Sequence, residues 1–293
     1  MRLKAPFPWF GGKSRVSGIV WNRFGEVKNY VEPFFGSGAV LLGRPDAPKV
    51  ETINDADCFV ANFWRAIKHA PDEVAKYADW PVNEADLLAR NLWLTQQDEF
   101  SARMKSEPEF FDAKIAGWWV WGLCSWIGSG FCEARPRKYL PQLGDGNGVH
   151  RKKLDHDSVA DWFEALSNRL RNVRVACGDW SRVLTCSPTT YHGLTAVFLD
   201  PPYAGTAKRD SKLYRIESLT LAHDVRKWAV EHGDNPMMRI ALCGYEGEHD
   251  MPSSWECVAW TSQGGLSNQR KKGTNENRFK ERIWFSPNCL KET

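Results

Sequence analysis

KNYVEPFFGSGAVLLG, residues 28–43, is the stretch that decides how this chain is read. An apolar run breaks at Gly36-Ser37-Gly38 and resumes as a helix-like segment, which is how a strand passes through a tight turn into a helix. KVETIND (49–55) then reads as a short strand ending in acids, and CFVANFWRAIKHA (58–70) as a helix. This β-α-β-α alternation points to a parallel sheet covered by helices. The pattern returns downstream in the helix DSVADWFEALSNRL (157–170), the strand NVRVACGDW (172–180), AVFLD (196–200), a helix near 219–232 and RIALCGY (239–245). Between the two arms, residues 71–128 read as helices with no strand. The expected architecture is a discontinuous α/β domain, residues 1–70 and 156–293, interrupted by a helical insertion, 71–155.

With 42% hydrophobic and 26% charged residues in 293, the chain can bury a sizeable core. A net charge of +3 is too mild to assign an acidic partner, so local clusters must do so. The Trp-rich segment GWWVWGLCSWIG (117–128) is too short and mixed for a membrane span, and its tryptophans read as core, with base stacking or wedge insertion as the other reading. The start, MRLKAPFPWFGGKSR, lacks the apolar core of a secretory signal, so a cytoplasmic location is expected. The eight cysteines contain no C-x-x-C pair and lie far apart, which predicts reduced thiols and no metal site.

Parallel α/β sheets bind ligands beyond the carboxyl ends of their strands, so acids and glycines there draw attention first. Gly36 and Gly38 allow a tight turn and close backbone approach to a ligand, although a plain strand-to-helix turn explains them too. Asp55 could accept from ribose hydroxyls; a helix N-cap is the competing reading for Asp55, Asp57 or both. Asp179, after the strand at 172–177, has the same two readings. The fourth strand end is more specific. In AVFLDPPYAG (196–205) two prolines fix φ and donate no hydrogen bond, giving a stiff turn. Such a turn can offer the Asp200 carboxylate and the Pro201 carbonyl as paired acceptors, with the Tyr203 ring beside them. That suits an exocyclic amino group on a flat base, with two acceptors for its two N–H bonds and a ring to stack on. Acceptors that draw the nitrogen toward tetrahedral geometry localise its lone pair for attack.

These segments together resemble the DNA adenine methylase family, the D12 class of N6-adenine methyltransferases, which also occurs in phages and prophages and in restriction-modification systems. PWFGGKSR (8–15) is similar to its N-terminal cofactor motif, VEPFFGSG (31–38) to its glycine motif, IND (53–55) to its ribose-binding acid, GDW (178–180) to its adenine-side acid and DPPY (200–203) to its catalytic motif. The resemblance implies a Rossmann-like fold with a seven-stranded, mostly parallel sheet and one antiparallel strand near the C-terminus. WECVAW (255–260) and RIWFS (282–286) are the candidates for the closing strands. It implies S-adenosylmethionine as cofactor, held by Trp9, Lys13, Glu32, Phe35, Gly36, Ser37, Gly38, Asp55, Asp179, Trp180 and Asp200. By the same carry-over, Asp200, Pro201, Pro202 and Tyr203 are catalytic. Lys13 also reads as a surface lysine beside a Gly-Gly turn, and Trp9 as core.

A base inside double-stranded DNA must be turned out to reach such a pocket. Arg135, Arg137, Lys138, Arg151, Lys152 and Lys153 bracket the glycine-rich loop of the insertion, where the family carries its target-recognition region. Lys208 and Arg209 follow the catalytic turn. These are the expected DNA contacts, a solvated loop being the other reading of each basic run. QRKKGTNENRFKER (269–282) is a second basic stretch. The insertion departs from the recognition-hairpin sequence of GATC-reading relatives. Three further functions fit less of the sequence: cytosine-N4 methylation, whose turn more often begins with Ser; an inactive DNA-binding relative; and a nicotinamide dehydrogenase.

Overall fold

The computed structural model describes residues 3–9, 11–45, 49–128, 131–133, 140–142, 148–151, 156–203, 220–261 and 279–291. Seven strands form one sheet: β1 (Asn29–Glu32), β2 (Val50–Asp55), β3 (Val173–Cys177), β4 (Thr195–Leu199), β5 (Met238–Tyr245), β6 (Glu256–Ala259) and β7 (Glu281–Phe285). Their order is β3-β2-β1-β4-β5-β7-β6. All pairings are parallel except those of β7, which runs antiparallel to both β5 and β6. The chain moves outward from β1 through β2 to β3 and then restarts at β4 on the other side, so β1 and β4 flank the topological switch point. Ligands of open α/β sheets bind at that crevice.

Side chains alternate across the sheet and fill two cores. On β4, Ala196 and Phe198 join one apolar cluster while Val197 and Leu199 join the other. A strand buried on both faces is apolar at nearly every position, which is why β4 reads as a continuous run, whereas buried β1 carries Asn29 and Glu32 with hydrogen-bond partners. One face is covered by α1 (Ser17–Phe24), α3 (Cys58–His69) and α8 (Val159–Leu170), through Trp21, Phe63, Trp64 and Phe163. The other is covered by α9 (Leu221–His232), through Val225 and Ala229. The short α2 (Ala39–Leu42) follows the glycine turn.

After α3 come four helices with no strand between them: α4 (Pro71–Ala78), α5 (Glu84–Thr95), α6 (Phe100–Ser106) and α7 (Ala113–Ser125). Helix α7 packs against α3, α4 and α5, and its Trp119 enters the same core as Phe63 and Trp64. The Asn62 amide on α3 holds the start of α7 by donating to the Asp112 carbonyl at 2.9 Å and accepting from the Asp112 N–H at 2.8 Å. Trp119, Trp121 and Trp126 are buried; Arg90 lies 4.1 Å from the Trp121 ring centroid, a cation held by aromatic faces. No described helix is long and apolar enough to cross a membrane. Every described cysteine is a free thiol.

One buried ion cluster ties the fold together. Glu51 on β2, 1% exposed, accepts from Arg169 of α8 at 2.6 and 2.8 Å and from Arg44, just past α2, at 3.1 Å. A carboxylate on a buried strand is tolerable only with such partners.

Candidate active site

The first half of the site forms where β1, β2 and β3 end. Asn54 joins the loops, its amide donating to the carbonyls of Pro33 and Gly178 at 3.0 Å each. Gly36, at φ +48°, could carry no side chain: a Cβ there would lie 2.4 Å from the Trp9 ring. Gly38, at φ +69°, is similarly closed by the Phe35 and Trp64 rings. Both glycines therefore admit aromatic side chains against the backbone, and Trp9 is partly buried with its ring laid on the turn. Phe35 and Ser37 are buried; Phe34, which the sequence reading did not single out, is the half-exposed ring. It stacks on Trp180 with ring centroids 6.2 Å apart at 29°.

The acids divide into different roles. Asp57 is the N-cap of α3, accepting from the Phe59 N–H at 2.8 Å. Asp55 instead accepts from the Gly36 and Asp57 N–H groups at 3.0 and 2.9 Å, which binds the glycine turn to β2. Burial, and secondarily the Asp57 charge, push its carboxyl up to about 7 against the pull of those two donors. Asp179 is exposed; its Oδ1 accepts from the Ser181 N–H and hydroxyl at 2.9 and 2.5 Å and caps the single turn at 180–183. Glu32 is 3% exposed and accepts from the Tyr30 hydroxyl at 2.8 Å, and burial raises it far above the usual carboxylate range.

The second half forms where β4 ends. Asp200 is 18% exposed, and Lys13 donates to its Oδ2 at 2.8 Å. Lys13 is only 5% exposed, so the surface-lysine reading does not hold. Its ammonium also donates to the Gly11 carbonyl at 2.8 Å and to the Tyr203 oxygen at 3.2 Å. Burial by itself would lower the Lys13 pKa, but the opposing charge of Asp200, with Cys243 and Glu281, raises it, so the group stays cationic. Tyr203 is buried, its ring edge-on to Tyr245 at 4.6 Å. Its hydroxyl lies 2.8 Å from Glu281 Oε2 and 3.3 Å from Asp200 Oδ1. Of the expected DNA contacts, Arg151 is exposed; Arg135, Arg137, Lys138, Lys152, Lys153, Lys208 and Arg209 lie outside the described residues. In the second basic stretch, Arg270, Lys271, Lys272 and Arg278 also lie outside them, while Arg282 pairs with Glu246 at 2.8 Å.

Thus a glycine turn, a half-buried acid and a double-proline acid turn follow the carboxyl ends of the neighbouring parallel strands β1, β2 and β4, about the switch point. The model of the D12 class N6 adenine-specific DNA methyltransferase family matches residues 9–235, from Trp9 past the Asp200 turn. The chain belongs to that family. It is also similar to the Type II methyltransferase M.MjaIII of Methanocaldococcus jannaschii, at 22% identity over 224 residues covering 72% of this chain and 73% of that protein. As a D12 class enzyme it is an adenine-specific DNA methyltransferase that uses S-adenosylmethionine as methyl donor. The residues present fit that cofactor in kind: Asp55 offers a half-buried carboxyl to hydroxyl donors, and Phe34 and Trp180 offer paired rings to a flat base. Glu281 and Tyr245 lie beyond the matched residues, and neither follows a motif from which sequence could single it out.

Proposed function

We propose that this methyltransferase acts on double-stranded DNA at a specific sequence and turns the target adenine out of the helix to reach the Asp200 turn. Extruding a base costs roughly a few kcal/mol, which phosphate contacts help to offset. The helical insertion, 71–155, is the target-recognition region in this reading, and Arg135, Arg137, Lys138, Arg151, Lys152, Lys153, Lys208 and Arg209 meet the DNA backbone.

The observation that carries the reading is the position of Asp200 at the carboxyl end of β4, beside the glycine turn of β1 across the switch point. The Asp200 carboxylate and the Pro201 carbonyl accept the two N–H bonds of the adenine amino group, and Tyr203 borders the base. Lys13 holds Asp200 Oδ2 and leaves lone pairs on the carboxylate for that amine, since a carboxylate accepts about four hydrogen bonds. Trp9, Glu32, Phe35, Gly36, Ser37 and Gly38 shape the wall on the β1 side, Asp55 takes the ribose hydroxyls, and Asp179 and Trp180 border the adenine ring. S-adenosylmethionine supplies an electrophilic methyl group when bound there. Asp200, paired with Lys13, faces the positive charge that grows on N6 as the nitrogen–methyl bond forms and the methyl–sulfur bond breaks.

Mass spectrometry of nucleosides from duplex DNA incubated with protein and cofactor tests this reading. N6-methyladenine confined to one sequence context is expected. N4-methylcytosine as the product, or transfer to single strands only, would contradict it.

A further inference from the structure

Tyr203 carries one hydroxyl proton, and among the described residues the carboxyl groups of Glu281 and Asp200 lie within its reach. The Glu281 oxygen, at 2.8 Å, is much nearer than Asp200 Oδ1 at 3.3 Å. A hydroxyl donates to the closer acceptor oxygen, and hydrogen bonds weaken with length. Burial holds the Tyr203 hydroxyl well above its ordinary pKa, so it keeps that proton. Glu281 is itself placed by the sheet. It opens β7 directly opposite Tyr245 of β5, and cross-strand partners share a face. The two residues grip the same side chain, Tyr245 by its ring at 4.6 Å and Glu281 by its carboxylate. Glu281 is 3% exposed. An acid so deeply buried is costly, and burial raises its pKa while Lys13 and Tyr203 oppose that.

We infer that Glu281 is a positioning residue for methyl transfer: by drawing the Tyr203 hydroxyl to itself it keeps Asp200 Oδ1 open for the target amino group and fixes the ring that borders the base. The inference rests on Asp200 and Tyr203 being the reacting site. Without the Glu281 acceptor, the hydroxyl turns to Asp200 and competes with the adenine N–H for the same oxygen. The penalty is therefore carried by the tyrosine oxygen, and removing that oxygen removes the penalty.

The test uses the full chain with Glu281→Met, close in volume and without an acceptor, and Glu281→Gln, which keeps one acceptor oxygen. Single-turnover transfer to duplex DNA is measured alongside the affinity for S-adenosylmethionine and for DNA. Glu281→Met is expected to lower the transfer rate on the order of 10–100-fold, the worth of one hydrogen bond to a charged group, with both affinities retained. Glu281→Gln is expected to recover at least about tenfold of that loss by restoring the acceptor. The double variant Glu281→Met/Tyr203→Phe is expected to transfer faster than Glu281→Met and to match Tyr203→Phe alone, a rescue that general loosening of the sheet would not produce. An unchanged rate in Glu281→Met, or a double variant as slow as Glu281→Met, overturns the inference. Should Glu281→Met lose cofactor affinity, Glu281→Gln at less than a hundredth of the wild-type rate overturns it instead. Asp200→Ala is run in parallel. Full turnover in that variant would sink the site assignment itself, whereas an inactive Asp200→Ala beside an unaffected Glu281→Met would remove only the role of Glu281.

Discussion

Replacing Asp55 by asparagine should change how cofactor affinity depends on pH. In the protein its carboxyl is raised to about 7 by burial and by Asp57. Ribose hydroxyls donate to the ionised form, so cofactor binding favours the carboxylate and releases a proton wherever Asp55 was protonated beforehand. Affinity must then rise with pH through about 7 and fall below it. With that midpoint, about a tenth of the protein carries the anion at pH 6 and about nine-tenths at pH 8, so binding is about tenfold weaker at pH 6 than at pH 8, roughly 1.4 kcal/mol. Calorimetric titration with S-adenosylmethionine at pH 6, 7 and 8 reads this directly. Asp55→Asn should bind more weakly at pH 8 and show a flatter profile, and subtracting its profile removes the titration of the cofactor's own amino group. Equal pH dependence in the two proteins would refute the ribose-acceptor role.

Two further outcomes follow from packing. Glu51→Ala strips the counterion from Arg44, buried, and Arg169, and should cost about 3–5 kcal/mol in urea denaturation; a loss under about 1 kcal/mol would show that the guanidiniums find other partners. In Gly117→Ala the added methyl would sit 2.4 Å from Tyr77 Cβ and 2.7 Å from the Val74 carbonyl, neither on a flexible tip, so α4 and α7 must part at a cost of about 1–3 kcal/mol; an unchanged denaturation midpoint would contradict that packing.

The sheet was legible because β4 and most of β5 are buried and read as apolar runs, and because Gly or acid follows the ends of β1 to β4. The segment 71–125 was legible as helix because no strand-like run breaks it between α4 and α7. Helix α1 passed unread: SGIVWNRF is short, and its Val16 N-cap makes no side-chain cap bond. At the site, strand-end position identified Asp55, Asp57, Asp179 and Asp200 but not which oxygen meets which donor. Asp57, rather than Asp55, turned out to cap α3, because the cap depends on backbone dihedrals at a single residue. Phe34 and Phe35 are adjacent and chemically alike; only the turn decides that Phe35 enters the core while Phe34 meets Trp180. Glu281 was read as part of a basic run, and its role depends on a strand pairing far away in sequence.

The central claim is that the stiff turn at the end of β4 presents the carboxylate that holds the reacting amine. Single-turnover transfer by Asp200→Ala, measured beside its affinity for S-adenosylmethionine, tests it most directly. Loss of transfer by at least about a thousandfold with cofactor affinity retained at least in part is the predicted result. Transfer at the wild-type rate would contradict it.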